Sequence, residues 1–452
     1  MRLRKTITTI VATAILLAGW QLFAVIANQP ELIPSLPRLV RTLCEWLVSG
    51  SFYQSVGATI LRGVLGMSIS FVCAIGMAGL FARFEWVYEL FRPLLAIMRS
   101  IPVISFILLA LIFLNPESIP LMIAFLTMFP LLTENLTRGI LDLRPGLSIM
   151  ARQFHIKRSN VLFQIIYPQL KPFLYSGLAS AAGFGWRAII MGEVLSQCAF
   201  GIGSEMKRAQ NFIAVPELLA WTIVAVFISF FFDKGISKVA DITPKISFAN
   251  EDQTIPTPTL SVLDTKDISY QYGIQHFSHS FQKGIIYGIS APSGKGKTTL
   301  LNLIGGILLP TKGEIHPTRH FGIATIFQQP QLLPHLTAEE NIILPLSSFL
   351  TEEKARRIAQ KHLQEMEMEP FGNRYPKELS YGQQQRIAIA RALAYPSPLL
   401  LRDEPFKGLD EALSHRIIER IREKQMKEER IILFTSHNPD EIRLLADEVI
   451  YL

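Results

Sequence analysis

Hydrophobic and polar positions divide this chain into two unlike halves. From Ile7 to Phe232 apolar residues come in long runs, whereas beyond about Leu260 they come in short β-branched stretches between helical ones. A run of about 20 apolar residues matches the hydrocarbon thickness of a bilayer. The pattern predicts six membrane helices near Ile7–Ala27, Gly63–Phe81, Leu94–Leu114, Ile119–Leu136, Phe173–Leu195 and Leu218–Phe232. The first follows the basic start MRLRK. It is longer than the ~7–15-residue apolar core of a cleavable signal peptide, so it reads as a retained helix. Six spans from an inside N-terminus bring the chain back inside. The basic segment Thr137–Lys171 and everything after Phe232 then lie on the cytoplasmic side, as the positive-inside bias requires.

After Phe232 the segment ITPKISFANEDQTIPTPTL, rich in Pro, Thr and charge, has no sustained apolar period and reads as a linker. Strand-like IIYGIS and FGIATIF then alternate with helical stretches such as TLLNLIGGI, the pattern of a soluble α/β domain. The expected organisation is an α-helical membrane domain over residues 1–235, a linker over 236–259 and an α/β P-loop domain over 260–452.

Composition sharpens this division. Hydrophobic residues make up 49% of 452, and mean hydropathy is +0.30, too apolar for an ordinary soluble enzyme. The net charge of +7 comes largely from Arg and Lys flanking apolar runs, including Arg83, Arg92, Arg138, Arg144, Lys157 and Arg158. That distribution fits a membrane surface and argues against nucleic acid as a partner. Cys44, Cys73 and Cys198 are widely spaced and form no metal or disulfide framework.

The chemistry is concentrated in the second half. SAPSGKGKTTL, residues 290–300, follows the phosphate-loop pattern G-x-x-x-x-G-K-[ST] except that Ala291 stands where the first glycine is usual. Backbone amides of Ser293, Gly294, Lys295, Gly296, Lys297 and Thr298, with Thr299 behind them, would wrap phosphates at a helix N-terminus. Lys297 would reach the β- and γ-phosphates and the Thr298 hydroxyl would bind Mg2+. If residue 291 needs a left-handed backbone, alanine costs about 1–2 kcal/mol there. In LLLRDEP, an apolar strand ends in two carboxylates: Asp403, placed to hold Mg2+ through water, and Glu404, placed as general base for an attacking water.

Between these motifs, Leu379-Ser380-Tyr381-Gly382-Gln383 leads into the helix IAIARALAY. Here residues 260–452 resemble the ATP-binding cassette ATPases, whose signature is LSGGQ followed by such a helix. The resemblance implies ATP and Mg2+ as ligands. It implies that Tyr272 stacks on adenine, that Gln328 in IFQQPQ senses Mg2+ and the membrane partner, and that Ser380, Gly382 and Gln383 contact nucleotide. Asp410 would cross a dimer interface and His437 would contact the γ-phosphate. Three residues depart from the pattern: Ala291, Tyr381 for a signature glycine, and Arg402 before the magnesium aspartate. A buried arginine is costly unless paired, so Arg402 is expected to have a carboxylate partner or a solvent-facing edge.

Residues 150–177, MARQFHIKRSNVLFQIIYPQLKPFLYSG, resemble the cytoplasmic coupling loop of permeases in binding-protein-dependent importers, with His155 in place of that loop's glycine. Ser100-Ile101-Pro102, Trp186, Glu193 and Gly201-Ile202-Gly203 look like the nitrate, sulfonate and taurine group of such permeases. The resemblance implies a multi-pass protein of the bacterial cytoplasmic membrane, with lipid around the helices and the cassette in the cytoplasm. It would drive uptake of a small solute: a sulfonate, nitrate, taurine or a pyrimidine-like vitamin precursor. Its partners would be a second copy of the chain and a separate extracytoplasmic solute-binding protein. Arg187, inside the fifth span, should face the bundle interior or a pore. Lys157–Phe163 should form a short helix whose apolar residues, Leu162 and Phe163 among them, enter a cassette groove near Gln328. Alternative readings are a half-size exporter and a weakly hydrolysing nucleotide-sensing regulator.

Overall fold

The computed structural model describes residues 2–240, 244–253, 260–271, 273–292, 294–317 and 322–452. Its first half is built from α1 (Arg2–Ala27), α2 (Leu36–Trp46), α3 (Gly50–Arg83), α4 (Glu85–Ser100), α5 (Val103–Phe113), α6 (Ile119–Leu141), α7 (Pro145–Gln153), α8 (Arg158–Asn160), α9 (Tyr167–Ser196), α10 (Ile202–Asn211) and α11 (Val215–Ala240). A π-helical turn, Val161–Ile166, joins α8 to α9. The chain forms two compact units. One comprises residues 1–143 and 169–243; the other comprises 144–168 and 244–452. The expected division treats each domain as one continuous stretch, whereas residues 144–168 group with the second unit.

Four stretches among the described residues are long and apolar enough to cross a membrane, Gly50–Arg83, Pro116–Leu141, Arg158–Ser196 and Val215–Ala240, the third of them starting within residues 144–168 of the second unit. Val11–Ala27 forms a shorter apolar helix. The expected span Leu94–Leu114 is not continuous. Helices α4 and α5 meet at 94°, because Pro102 lacks an amide and forces Ile101 out of helical backbone, to φ −70° and ψ 130°. Small residues let the long helices approach closely: a side chain on Gly66 would collide with Ala124, and one on Gly192 would press on Pro120.

A charge buried among these helices needs partners. Glu193 is fully buried and accepts from Arg62 Nη1 at 2.7 Å, Thr59 Oγ1 at 2.9 Å and the Gly203 amide at 3.0 Å. Arg62 also reaches Glu117 at 2.7 Å. Gly203 has to be glycine, since a Cβ there would lie 2.7 Å from that of Glu193. Arg187 is exposed on α9 and borders an open cavity of about 470 Å³ with Thr222, Ser229 and Asp233.

The second unit carries β1 (Val262–Tyr270), β2 (Ile274–Gln282), β3 (Ile286–Ser290), β4 (Lys312–His316), β5 (Ala324–Ile326), β6 (Leu399–Asp403), β7 (Ile431–Thr435) and β8 (Glu448–Tyr451). Its helices are α12 (Lys297–Ile304), α13 (Ala338–Leu346), α14 (Glu352–Glu365), α15 (Tyr381–Ala394), α16 (Glu411–Glu428) and α17 (Pro439–Leu445). Five parallel strands run in the order β5-β6-β7-β3-β8, beside a three-stranded antiparallel sheet β2-β1-β4. The all-apolar runs LLL of β6 and IILF of β7 follow from burial on both faces, which parallel strands covered by helices require.

Residues 144–168 belong to this unit's core. Leu147, Met150, Phe154, Ile156 and Ile165 are buried in the same apolar cluster as Ile342, Leu346 and Tyr395. Gln153 Nε2 donates to Gly305 O at 2.7 Å. Asn160 is buried but satisfied: its Nδ2 donates to Ser247 O and Ser347 Oγ, and its Oδ1 accepts from the Ser247 amide, each at 2.8 Å. Leu162 and Phe163, expected to enter the groove, are instead about half exposed, at 50% and 47%. The linker is ordered in its described part. Ala249 N bonds Ser347 O at 3.0 Å and Gln253 N bonds Phe349 O at 2.8 Å.

Candidate functional site

The loop from β3 to α12 places its functional groups by backbone conformation. Gly294 and Gly296 have φ of +81° and +91°, and a Cβ on Gly296 would lie 2.8 Å from Gly273 O. Glycine is needed at both. Ala291 is not among the left-handed residues, so the glycine usual at that position is not required here and the expected strain does not arise. Lys297, 8% exposed, folds over the loop and donates to Ala291 O at 2.7 Å. Lys295 and Thr299 stand on either side of this lysine. Tyr272 and Ser293 lie outside the described residues.

The loop meets the ends of β6 and β7. Thr298 Oγ1 donates to Asp403 Oδ2 at 3.0 Å, and Thr435 Oγ1 donates to Asp403 Oδ1 at 2.8 Å. Asp403 and Thr435 are register partners across the parallel pair, which explains their meeting. Thr435 was not singled out from sequence; its signal was its place at the end of an apolar strand, directly before Ser436 and His437.

Glu404 is the next residue and turns away from the strand with φ +47°. That left-handed backbone is uncommon outside glycine, and the amide is held by Thr435 Oγ1 at 3.1 Å. The carboxylate faces three donors: Gln328 Nε2 at 3.3 Å, His437 Nε2 at 3.0 Å and Lys407 Nζ at 3.4 Å. Burial pushes this carboxyl up, but Gln328, Lys407 and His437 outweigh it and hold the group below the ordinary glutamate value. Glu404 is therefore ionised at neutral pH, as a proton acceptor has to be. Lys407 is a second residue that sequence reasoning missed.

Thr298, Asp403 and Gln328 line a common cavity of about 290 Å³, together with Gly146 and Ile149 of α7. A side chain on Gly146 would clash with the Gln331 amide at 2.6 Å. The connector residues that line this cavity beside Gln328 belong to α7, while 157–163 meets the cassette through Lys157, Asn160 and Val161 at Ser347 and Ser348 and in the core.

The signature residues form a separate turn. Ser380 caps α15, its side chain accepting from the Gln383 amide at 3.3 Å while Gln383 Oε1 accepts from the Ser380 amide at 2.9 Å. Gly382 packs so closely that a Cβ would lie 2.7 Å from Gly408 O. Asp410 caps α16 by accepting from Leu413 N at 2.9 Å. Within one chain, then, Gln328, Thr298, Asp403, Glu404 and His437 come together, while Ser380, Gly382, Gln383 and Asp410 stand at two helix starts beside them.

Arg402 departs from expectation. It is fully buried, and none of its guanidinium nitrogens has a hydrogen-bond partner among the described residues. Burial, with repulsion from Arg430, pushes it down to about 9, still protonated at neutral pH. Arg391, also fully buried, by contrast donates from Nη1 to Gln331 O at 2.8 Å and from Nη2 to Pro330 O at 2.9 Å, leaving only its Nε without a partner among the described residues. The expected carboxylate or solvent edge at Arg402 is absent among the described residues.

Residues 68–233 match the family described as "Binding-protein-dependent transport system inner membrane component", and residues 274–407 match "ABC transporter". The thiamine import ATP-binding protein ThiQ of Yersinia pseudotuberculosis is 34% identical over 205 residues, 42% of this chain and 86% of that protein. The uncharacterized ABC transporter ATP-binding protein MJ0796 of Methanocaldococcus jannaschii is 34% identical over 201 residues, 40% of this chain and 85% of that protein. The Fe(3+) ions import ATP-binding protein FbpC of Rhizobium etli is 35% identical over 189 residues, 40% of this chain. The chain spans 54% of that last relative, about half its length.

Proposed function

The chain belongs to the ABC transporter family, and from that premise we propose that it is an ATP-driven importer with permease and ATPase fused. The observation that carries this reading is the connector, residues 144–168. It joins two membrane-type helices, yet its Phe154, Ile156 and Ile165 are buried in the core of the nucleotide-binding unit. ATP can drive transport only if closure of the cassette favours one membrane conformation over another. A connector packed into the cassette core and lining the same cavity as Gln328 and Asp403 supplies that link. The match of residues 68–233 to an importer component supports import over the exporter reading.

In this reading Lys297 and the amides around Gly294 and Gly296 bind the β- and γ-phosphates of ATP. Glu404 takes the proton of the attacking water, and His437 and Gln328 orient the reacting groups around it. The hydroxyl of Thr298 and the carboxylate of Asp403 converge, and hard oxygen donors of this kind suit Mg2+. Mg2+ bound there would neutralise charge on the phosphate oxygens.

The solute is small, and Arg187, exposed on a membrane helix beside Thr222 and Ser229, favours the choices that carry an anionic group: a sulfonate, nitrate, or taurine through its sulfonate. Delivery would be by a separate solute-binding protein outside the bacterial cytoplasmic membrane. Two copies of the chain would form the working unit, each lending Ser380, Gly382 and Asp410 to the ATP held by the other's loop. Cysteines placed at Ser293 and Ser380, with Cys44, Cys73 and Cys198 replaced, test this. Disulfides joining two chains should form in an ATP-dependent manner. Intrachain products alone, or a fully active monomer, would refute the shared site.

A further inference from the structure

Tyr381 stands at the first position of α15, where the LSGGQ pattern has a glycine with no side chain to place. Its phenol crosses from the signature turn to the segment carrying Gln328. The hydroxyl donates to Gln328 O at 2.8 Å. On the way the ring lies against Gly408, where a Cβ would come within 2.8 Å of Tyr381 Cδ1. Gly408 has φ +80° and sits between Lys407 and Asp410, both already placed at the site. One side chain therefore braces three loops: the signature turn, the turn before α16 and the Gln328 segment.

What the brace holds is a short path to the proton acceptor. Gln328 receives the tyrosine hydroxyl on its carbonyl and donates from its own amide to Glu404 Oε2 at 3.3 Å. That contact is at the long end of the hydrogen-bond range, so a small displacement of the Gln328 backbone would lose it. The side-chain amide is one of the groups that hold the Glu404 carboxylate in its orientation.

We propose that Tyr381 is a positioning residue for ATP hydrolysis, acting through Gln328 to hold Glu404 in its working orientation and tying that orientation to the position of the signature turn. The inference rests on the ATPase reading above. It gives the substitution of a signature glycine a role: the bulk at residue 381 is compensated by glycine at 408, and the hydroxyl adds a contact that glycine cannot make.

The test compares Tyr381→Phe with wild type in the purified full-length chain in lipid. Phenylalanine keeps the ring on Gly408 and removes only the hydroxyl. The expected result is a kcat for Mg-ATP lower by about fivefold, the worth of one ordinary hydrogen bond, with KM unchanged. In a Gln328→Ala background the same substitution should have no further effect, because the group it positions is gone. Independently of turnover, backbone amides of residues 327–331 should exchange hydrogen faster in Tyr381→Phe without nucleotide, while those of α15 keep their protection. Equal kcat in wild type and Tyr381→Phe, or an undiminished effect in the Gln328→Ala background, would overturn the role of Tyr381 alone. Wild-type protein without any ATP turnover would overturn the ATPase reading, and this inference with it.

Discussion

The ring of Phe154 stands edge-on to that of Tyr395, with centroids 5.2 Å apart and planes at 89°. Phe154 lies in the connector and Tyr395 ends the signature helix, so this contact ties the permease-derived segment to the element that carries Ser380. The Arg391 guanidinium lies over the same ring, 5.5 Å from its centroid. Phe154 is fully buried. Removing it leaves a cavity, and Phe154→Ala should destabilise the cassette unit by about 3–5 kcal/mol. Changing both Leu162 and Phe163 to aspartate should cost that unit far less, because both side chains are half exposed. Denaturant unfolding of the cassette in each full-length variant checks the ranking; equal losses would contradict it.

Arg402 should be a liability to stability. Its strand neighbours are Ile326 and Phe434, and among the described residues no partner compensates its buried charge. Arg402→Leu should stabilise the cassette by about 1–4 kcal/mol, the range seen when buried charges give way to packed apolar residues. A rise in thermal midpoint is expected, and a fall would reveal a contact that offsets the charge.

Lys424 makes stability depend on alkaline pH. Burial pushes this amine down to about 8, with Arg430 adding to it and Glu428 opposing. Its folded value lies below its unfolded one, so between about pH 8 and 10.5 the unfolded chain holds more protons and stability rises with pH. Wild type should gain about 1–2 kcal/mol relative to Lys424→Met between pH 7.5 and 9.5. Parallel stability profiles for the two proteins would exclude this role.

Much of the candidate site's local geometry was legible because it depends on residue type and spacing: a loop with Gly294 and Gly296 before a helix, and carboxylates ending a strand. Thr435 was not, because a threonine after an apolar strand becomes a ligand to Asp403 only through the parallel register of β6 and β7. The connector was legible as a docking segment but not in its facing. The π-helical turn at Val161–Ile166 departs from the 3.6-residue period. It buries Gln164 and Ile165 and leaves Leu162 and Phe163 half exposed, so apolar character alone selected the wrong pair. Pro102 lies inside the expected span Leu94–Leu114, where the run of apolar residues across it hid the 94° break between α4 and α5. The burial of Arg402 runs against every local expectation for a charged residue, and among the described residues no hydrogen bond compensates it.

The central claim is that Glu404 accepts the proton in an ATP hydrolysis that powers this chain. The most direct measurement is Mg-ATP turnover by the purified full-length protein in lipid, comparing wild type with Glu404→Gln and measuring nucleotide binding in parallel. Glutamine keeps the shape of the side chain and its contact with His437 but cannot take a proton. Steady turnover is expected of wild type, with ATP still bound but turnover nearly abolished in Glu404→Gln. Equal turnover in the two proteins, or none in wild type, would contradict it.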